Sequence, residues 1–368
     1  TPLNLYKEIN ECKLINKSKN SDINQSHDKR SIRPIDTSKP IRVLIFPVDF
    51  PDLQSPNESA PDMSNFQARI SDYFAAQSNG KMKFTWTLAP KFTRLNENIS
   101  SFGVGERAAG NVWKLNSAFQ DLAFKTYNKN DFDLFIGVAP TNTQRSHIAS
   151  SPAFPTRDTN YLSGTYLGGD YWDNRNVWTI PAHEIVHSFG LADLYYFEAS
   201  MVYTNDAFKQ QFKFMGVYDL MNYADGDGVE LTAWNRWIMG IIDDNQILCL
   251  PDETTISLLK PIEALNNDVK GLAIPISKEK AVVIENRAAV GYDSKLKEGA
   301  TGVILYLVDT SIESGYGPME IIRKQNSKDV WFQDNAMKAN ESITAFGYEI
   351  RVLDISNKNA YIQVKKVA

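Results

Sequence analysis

The stretch from Trp178 to Tyr195, W-T-I-P-A-H-E-I-V-H-S-F-G-L-A-D-L-Y, constrains this chain more than any other. The 368 residues include only 4 histidines, and two of them, His183 and His187, stand here four apart. On an α-helix, positions i and i+4 share a face, so both imidazoles can reach one metal ion. Glu184 lies beside them and can take a proton from a metal-bound water. The helix carries its own signals: Thr179 as cap, Pro181 in the first turn, Ile185, Val186 and Phe189 for burial, and Gly190 as terminator. In a continued helix Asp193 would lie about 9 Å further along and about 240° around the axis, too far to share the ion. A turn at Gly190, where positive φ is cheap, brings Asp193 back. Two imidazoles, one carboxylate and an open position are the donor set of a catalytic zinc. The competing reading is an amphipathic helix with a chance histidine pair, against which the Gly and Asp in register weigh.

Composition bounds the rest. A length of 368 residues suggests two or three domains, and 43% hydrophobic with 23% charged residues allows real cores. The net charge of −5, with no large basic block, argues against nucleic acid as a partner. No apolar run reaches the roughly 18 residues of a membrane span. The chain begins at Thr1, so the lack of a visible signal peptide says nothing about secretion. Cys12 and Cys249 have no zinc-finger or Cys-x-x-Cys spacing. One disulfide and two free thiols are equally open, and a Cys12 thiolate capping the zinc is a third reading. Five Asn-x-Ser sequons, at Asn16, Asn24, Asn57, Asn98 and Asn340, matter only in a eukaryotic secretory pathway.

Residues 1–40 are polar and weakly patterned, an arm or linker on the surface. From Ile41 the pattern runs strand, helix, strand, helix, strand. The strands are R-V-L-I-F-P-V-D-F, Lys81–Leu88 and Phe132–Val138; the helices are Asn65–Gln77 and one from Val112 to about Thr126. Residues 140–177 read as loop. His147 there is a surface or locally satisfied histidine before it is a substrate group. Gly164–Trp172 is an expected edge strand above the active site, able to take an extended peptide by strand addition. A third helix spans Leu231–Gly240, with Thr232 as cap. From about Asp243, six short β runs separated by turn residues predict a β-sandwich.

The zinc motif with Asp as its last member resembles that of the immune inhibitor A-like metallopeptidases of the metzincin clan. V-D-F-P-D at 48–52, Y-F-A-A-Q-S-N-G-K at 73–81, V-I-E-N-R at 283–287 and G-V-I-L-Y-L-V-D at 302–309 are similar to that family's text, in the same order. The resemblance covers most of residues 41–310. Together with the arm and the β runs read above, it gives an expected α+β chain with three parts. Residues 1–40 form the arm. Residues 41–245 form a metzincin-like zinc protease domain, a mixed twisted sheet plus the active-site helix. Residues 246–368 form the β-sandwich. It also implies a methionine turn beneath the zinc, for which D-L-M-N-Y at 219–223 puts Met221 forward, with Met215 as rival. Tyr223 follows two residues later, as in astacin-like and serralysin-like metzincins. There it would donate its phenol to an oxyanion, the alternative being a packed ring. Asp225-Gly226-Asp227-Gly228 is either a calcium site, since family members often bind calcium, or a solvated turn; it lacks the closing Glu of an EF-hand.

The expected function is an exported, monomeric, zinc-dependent endopeptidase, secreted or at the cell surface, acting on a protein or peptide substrate. His183, His187 and Asp193 are the zinc ligands, Glu184 is the general base and Tyr223 the second catalytic candidate. The alternative is a catalytically inactive, protease-like surface binding or adhesion protein, against which the intact Glu184 speaks. A metal-free structural protein is a third class. Measured zinc content and cleavage of an unfolded protein separate the three.

Overall fold

The computed structural model describes residues 6–14, 35–105, 111–149, 153, 160–169, 178–200, 202 and 204–367. The chain is mixed α+β. Its contacts divide it into two compact units. One comprises Gly80–Gly190 with the described part of Arg30–Ala75. The other comprises Leu191–Ala368 with Ala76–Asn79 and the described part of Thr1–Lys29.

The unit ending at Gly190 is built on a parallel sheet. β1 (Ile41–Asp49), β2 (Phe84–Leu88), β4 (Leu134–Val138) and β5 (Gly164–Leu167) lie in the order β2-β1-β4-β5, and β3 (Thr93–Arg94) pairs with the far end of β1. Apolar runs such as V-L-I-F in β1 and L-F-I-G-V in β4 are buried throughout, the pattern of strands covered on both faces. Parallel pairing requires crossovers. α1 (Ser64–Gln77) lies in the connection from β1 to β2, and α2 (Val112–Ala123) in that from β3 to β4. Leu115 and Phe119 of α2 join Leu44, Phe46, Phe50 and Phe135 in one core. A mixed sheet was expected. Every strand pairing described in this sheet is parallel, and the one antiparallel feature is the isolated bridge Ala153–Thr165 on β5. β5 ends at Leu167, and the expected continuation through residues 170–172 lies outside the described residues. α3 (Thr179–His187) packs against β5.

In the unit from Leu191 onward two sheets share a core. The first has the order β11-β10-β9-β8-β6: β11 (Met319–Ile321), β10 (Gly302–Asp309), β9 (Lys280–Arg287), β8 (Gly271–Pro275) and β6 (Ile247–Cys249). The second has the order β12-β13-β14-β7: β12 (Ser342–Ala345), β13 (Tyr348–Ser356), β14 (Asn359–Lys366) and β7 (Thr255–Leu259). Leu272, Ile284 and Leu305 from the first meet Ile350, Ile362 and Val364 from the second, as a sandwich requires. All six β runs read from the sequence are strands here.

The contact boundary falls at Gly190, and residues 191–245 are bonded to the β sheets. α4 (Ala233–Ile238) is capped by Thr232 as expected, and the N–H of Ala233 donates to Glu285 of β9 at 2.7 Å. Arg287 is fully buried and pairs with Glu285 and Asp293, each at 2.8 Å. Glu230 pairs with Arg236 in the same interior. Buried charges persist only when paired in this way.

The N-terminal segment departs from the expected surface arm. Residues 6–14 are docked: Cys12 is buried and disulfide-bonded to Cys249, and the N–H of Lys7 donates to the Cys249 carbonyl at 3.0 Å. That bond removes the reading in which a Cys12 thiolate caps a metal. Residues 15–34, with the sequons at Asn16 and Asn24, lie outside the described residues.

Candidate metal centre

α3 begins at Thr179, and no side chain caps it. Thr179 is therefore the first helical residue, not the cap. Trp178, the residue before it, is held by its ring against Tyr73, with centroids 5.1 Å apart. Pro181 then sits in the first turn, where its missing N–H costs nothing. Ile185 and Val186 are buried, and Phe189 packs on Phe74 with centroids 6.1 Å apart. The helix ends at His187, and Gly190 takes φ +95°. An L side chain is strained there, so the glycine makes the turn that the ligand spacing demands.

Beyond the turn, the side chains of His183, His187 and Asp193 each offer one ligand atom, and these atoms lie within 4.8 Å of one another. All three are buried. The two imidazole centroids are 5.0 Å apart and their planes are nearly perpendicular, at 84°. Among the described residues this is the group of His, Cys, Asp and Glu side chains arranged to hold a metal, and Asp225 and Asp227 belong to no such group. Tetrahedral zinc with bonds near 2.1 Å needs ligand atoms roughly 3.4 Å apart. The bound of 4.8 Å is compatible with that spacing. Buried carboxylate and imidazoles together call for a compensating positive charge, either a cation or a proton on a ring. The donor set fits zinc.

Glu184 accepts the backbone N–H of Ala153 at 2.8 Å. Ala153 is also the residue that bridges Thr165 on β5. The base candidate and the outer edge of β5 are thus joined through one backbone position, which nothing in the sequence signals.

The segment carrying Asp193 is fixed at several points. The Asp193 N–H donates to the Ser314 hydroxyl at 2.9 Å, and the Gly315 N–H donates to the Asp193 carbonyl at 2.8 Å. The N–H of Leu194 donates to the Met221 carbonyl at 2.9 Å. Met221 sits in a tight turn in which the N–H groups of Asn222 and Tyr223 both reach the Asp219 carbonyl, at 3.0 and 3.2 Å. The Asp219 carboxylate closes the turn by accepting the Met221 N–H at 2.8 Å. Asp219 is buried and has φ +75°, and burial raises its carboxyl above the ordinary range. Met215 is buried too, but the link to the Asp193 segment runs through Met221.

Tyr223 stacks face to face on Phe212, with centroids 4.1 Å apart and an angle of 15°, and its edges meet Phe208 and Trp331. Burial, then Asp225 and Asp227, raise its phenol above the ordinary value, so it remains a hydrogen-bond donor at neutral pH. His147 accepts the Gln144 N–H on Nδ1 at 3.1 Å, which makes it a locally satisfied histidine.

No protein-family model matches the chain, and no curated protein matches its sequence. The resemblance to the immune inhibitor A-like metallopeptidases therefore stands on the motifs themselves.

Proposed function

We propose that this chain is an exported zinc-dependent endopeptidase, with His183, His187 and Asp193 as ligands and Glu184 as general base. The observation that carries the reading is the burial of two imidazoles and a carboxylate with their donor atoms converging after a glycine turn. When bound, zinc supplies Lewis-acid polarisation of a water and of the scissile carbonyl. Glu184 is adjacent in sequence to a ligand, receives the water's proton and delivers it to the leaving amine. Asp193 lowers the local charge relative to a third histidine, so the water is less acidified and more of the work falls on Glu184. Tyr223 follows the turn that is bonded to the Asp193 segment, and its phenol is the proposed donor to the developing oxyanion. Strand β5 is last in the described strand order, and the antiparallel bridge of Ala153 to Thr165 is the kind of pairing by which an extended peptide would add to it. The Cys12–Cys249 disulfide supports an oxidising, extracytoplasmic setting. No helix among the described residues is long and apolar enough to cross a membrane.

Incubation with casein, with and without a zinc chelator, tests the reading. Cleavage that the chelator abolishes and added zinc restores is expected. Glu184→Gln should retain zinc and lose activity by about 100- to 10,000-fold, the worth of positioned proton transfer. No cleavage by the zinc-loaded chain would leave only a metal-binding protein with this fold.

A further inference from the structure

We propose that Ser314 is a positioning residue for Asp193, setting the orientation of that carboxylate towards a metal; the inference rests on the metal reading above. Ser314 and Gly315 lie in the connection from β10 to β11, about 120 residues from the zinc motif in sequence and outside the stretches that gave the resemblance. One hydroxyl engages Asp193 twice. Its oxygen accepts the Asp193 backbone N–H at 2.9 Å, and the same hydroxyl stands 3.4 Å from the Asp193 carboxylate Oδ2, a long contact to which it can donate. The next residue completes the clamp. The Gly315 N–H donates to the Asp193 carbonyl at 2.8 Å, and the Gly315 carbonyl accepts the Phe197 N–H at 3.1 Å. Residues 193–197 are thereby held along the 314–315 loop at both ends.

Gly315 is required for so close an approach. Its φ is +81°, and a Cβ there would stand 2.2 Å from the Phe197 ring. Any other residue would push the loop away from the segment and carry the Ser314 hydroxyl with it.

The energetic argument follows from freedom of rotation. Gly190 frees the chain from the helix so that Asp193 can turn back, but the same freedom leaves the Asp193 side chain without a helical frame. A metal-ligating carboxylate with one oxygen held by a hydrogen bond is pre-organised, and losing such outer contacts typically costs 10- to 100-fold in metal affinity. Both histidines sit on one rigid helix; Asp193 is the ligand that needs external support, and the 314–315 loop supplies it.

The test is a competition titration of the metal-free full chain with zinc against a chromophoric chelator, alongside thermal unfolding of the same metal-free samples. Ser314→Ala should weaken zinc binding about 10- to 100-fold with the unfolding midpoint of the metal-free chain little moved, and Ser314→Gly should match it. Ser314→Thr keeps the hydroxyl and should restore affinity to within about threefold. In an Asp193→Ala background, Ser314→Ala should change affinity by less than about twofold, because the carboxylate that Ser314 orients is already gone and the remaining backbone contact holds no ligand atom. Native-like affinity in Ser314→Ala, or an equal loss in the Asp193→Ala background, would overturn the role of Ser314 and leave the metal site standing. A wild-type chain that takes up no zinc would overturn both.

Discussion

The backbone N–H of Leu194 donates to the carbonyl of Met221 at 2.9 Å, tying the residue after Asp193 to a buried turn 27 residues further on. This bond is one of those that tie the position of Asp193, and it ties it to the 219–223 turn. That turn is in turn held by Asp219, whose carboxylate also accepts the N–H of Thr232 and the side-chain amide of Asn235, each at 2.8 Å. The α4 cap and the turn bonded to the Asp193 segment are therefore anchored on one buried carboxylate.

Asp219→Ala is expected to orphan three buried donors, those of Met221, Thr232 and Asn235. At about 1–3 kcal/mol each the chain should lose on the order of 3 kcal/mol or more of stability. Asp219→Asn should cost clearly less, since Asn tolerates the positive φ and keeps an acceptor oxygen. Denaturant midpoints of the metal-free proteins check the order, and equal losses for the two variants would contradict it.

Tyr223→Phe keeps the stack on Phe212 and removes only the hydroxyl. If the phenol serves the oxyanion, kcat should fall by about 100-fold with KM little changed, the signature of an interaction made mainly in the transition state. Steady-state kinetics on a fluorogenic peptide reads this out. A kcat within about threefold of native would make Tyr223 a packing residue.

In denaturant the untreated chain should show no thiol reactive to a maleimide, and two after reduction. Cys12→Ser together with Cys249→Ser should lower stability by about 2–5 kcal/mol, since the bond closes a loop of 237 residues and pins the docked N-terminal segment. Reactive thiols before reduction would contradict the pairing.

Lys270 is buried, and desolvation, followed by the charge of Arg236, lowers its ammonium to about 8. Its carbonyl partners are Pro261 and Ala264, the latter at 2.5 Å. The unfolded chain holds this proton up to about pH 10.4. Between those values the unfolded state binds more protons, so stability rises with pH. The stability of the native chain relative to Lys270→Met should therefore increase between about pH 8 and about pH 10. Paired denaturation curves at the two pH values measure it, and a constant difference would contradict the lowered value.

Much of this arrangement was legible in the residues. The i, i+4 histidines marked a helix, the glycine after them marked the turn that ends it, and the short β runs from Thr255 to Lys365 marked most of the two sheets. What stayed hidden depends on contacts far apart in sequence. Ser314-Gly315 reads locally as an ordinary turn, and its role follows from facing Asp193 across 121 residues. Ala153 carries no side-chain signal, because its contact to Glu184 is made by a backbone N–H. The docking of residues 6–14 was masked by their polar surroundings and rests on Cys12 meeting Cys249. Strands β6, β11 and β12 have only three or four residues each, too short for a period to show.

Zinc content per chain tests the central claim most directly. The protein, stripped of metal, re-exposed to zinc and freed of excess, should carry about one zinc by elemental analysis. His183→Ala and His187→Ala, treated identically, should carry close to none. Absence of zinc from the native chain, or an unchanged content in the two histidine variants, would contradict the account.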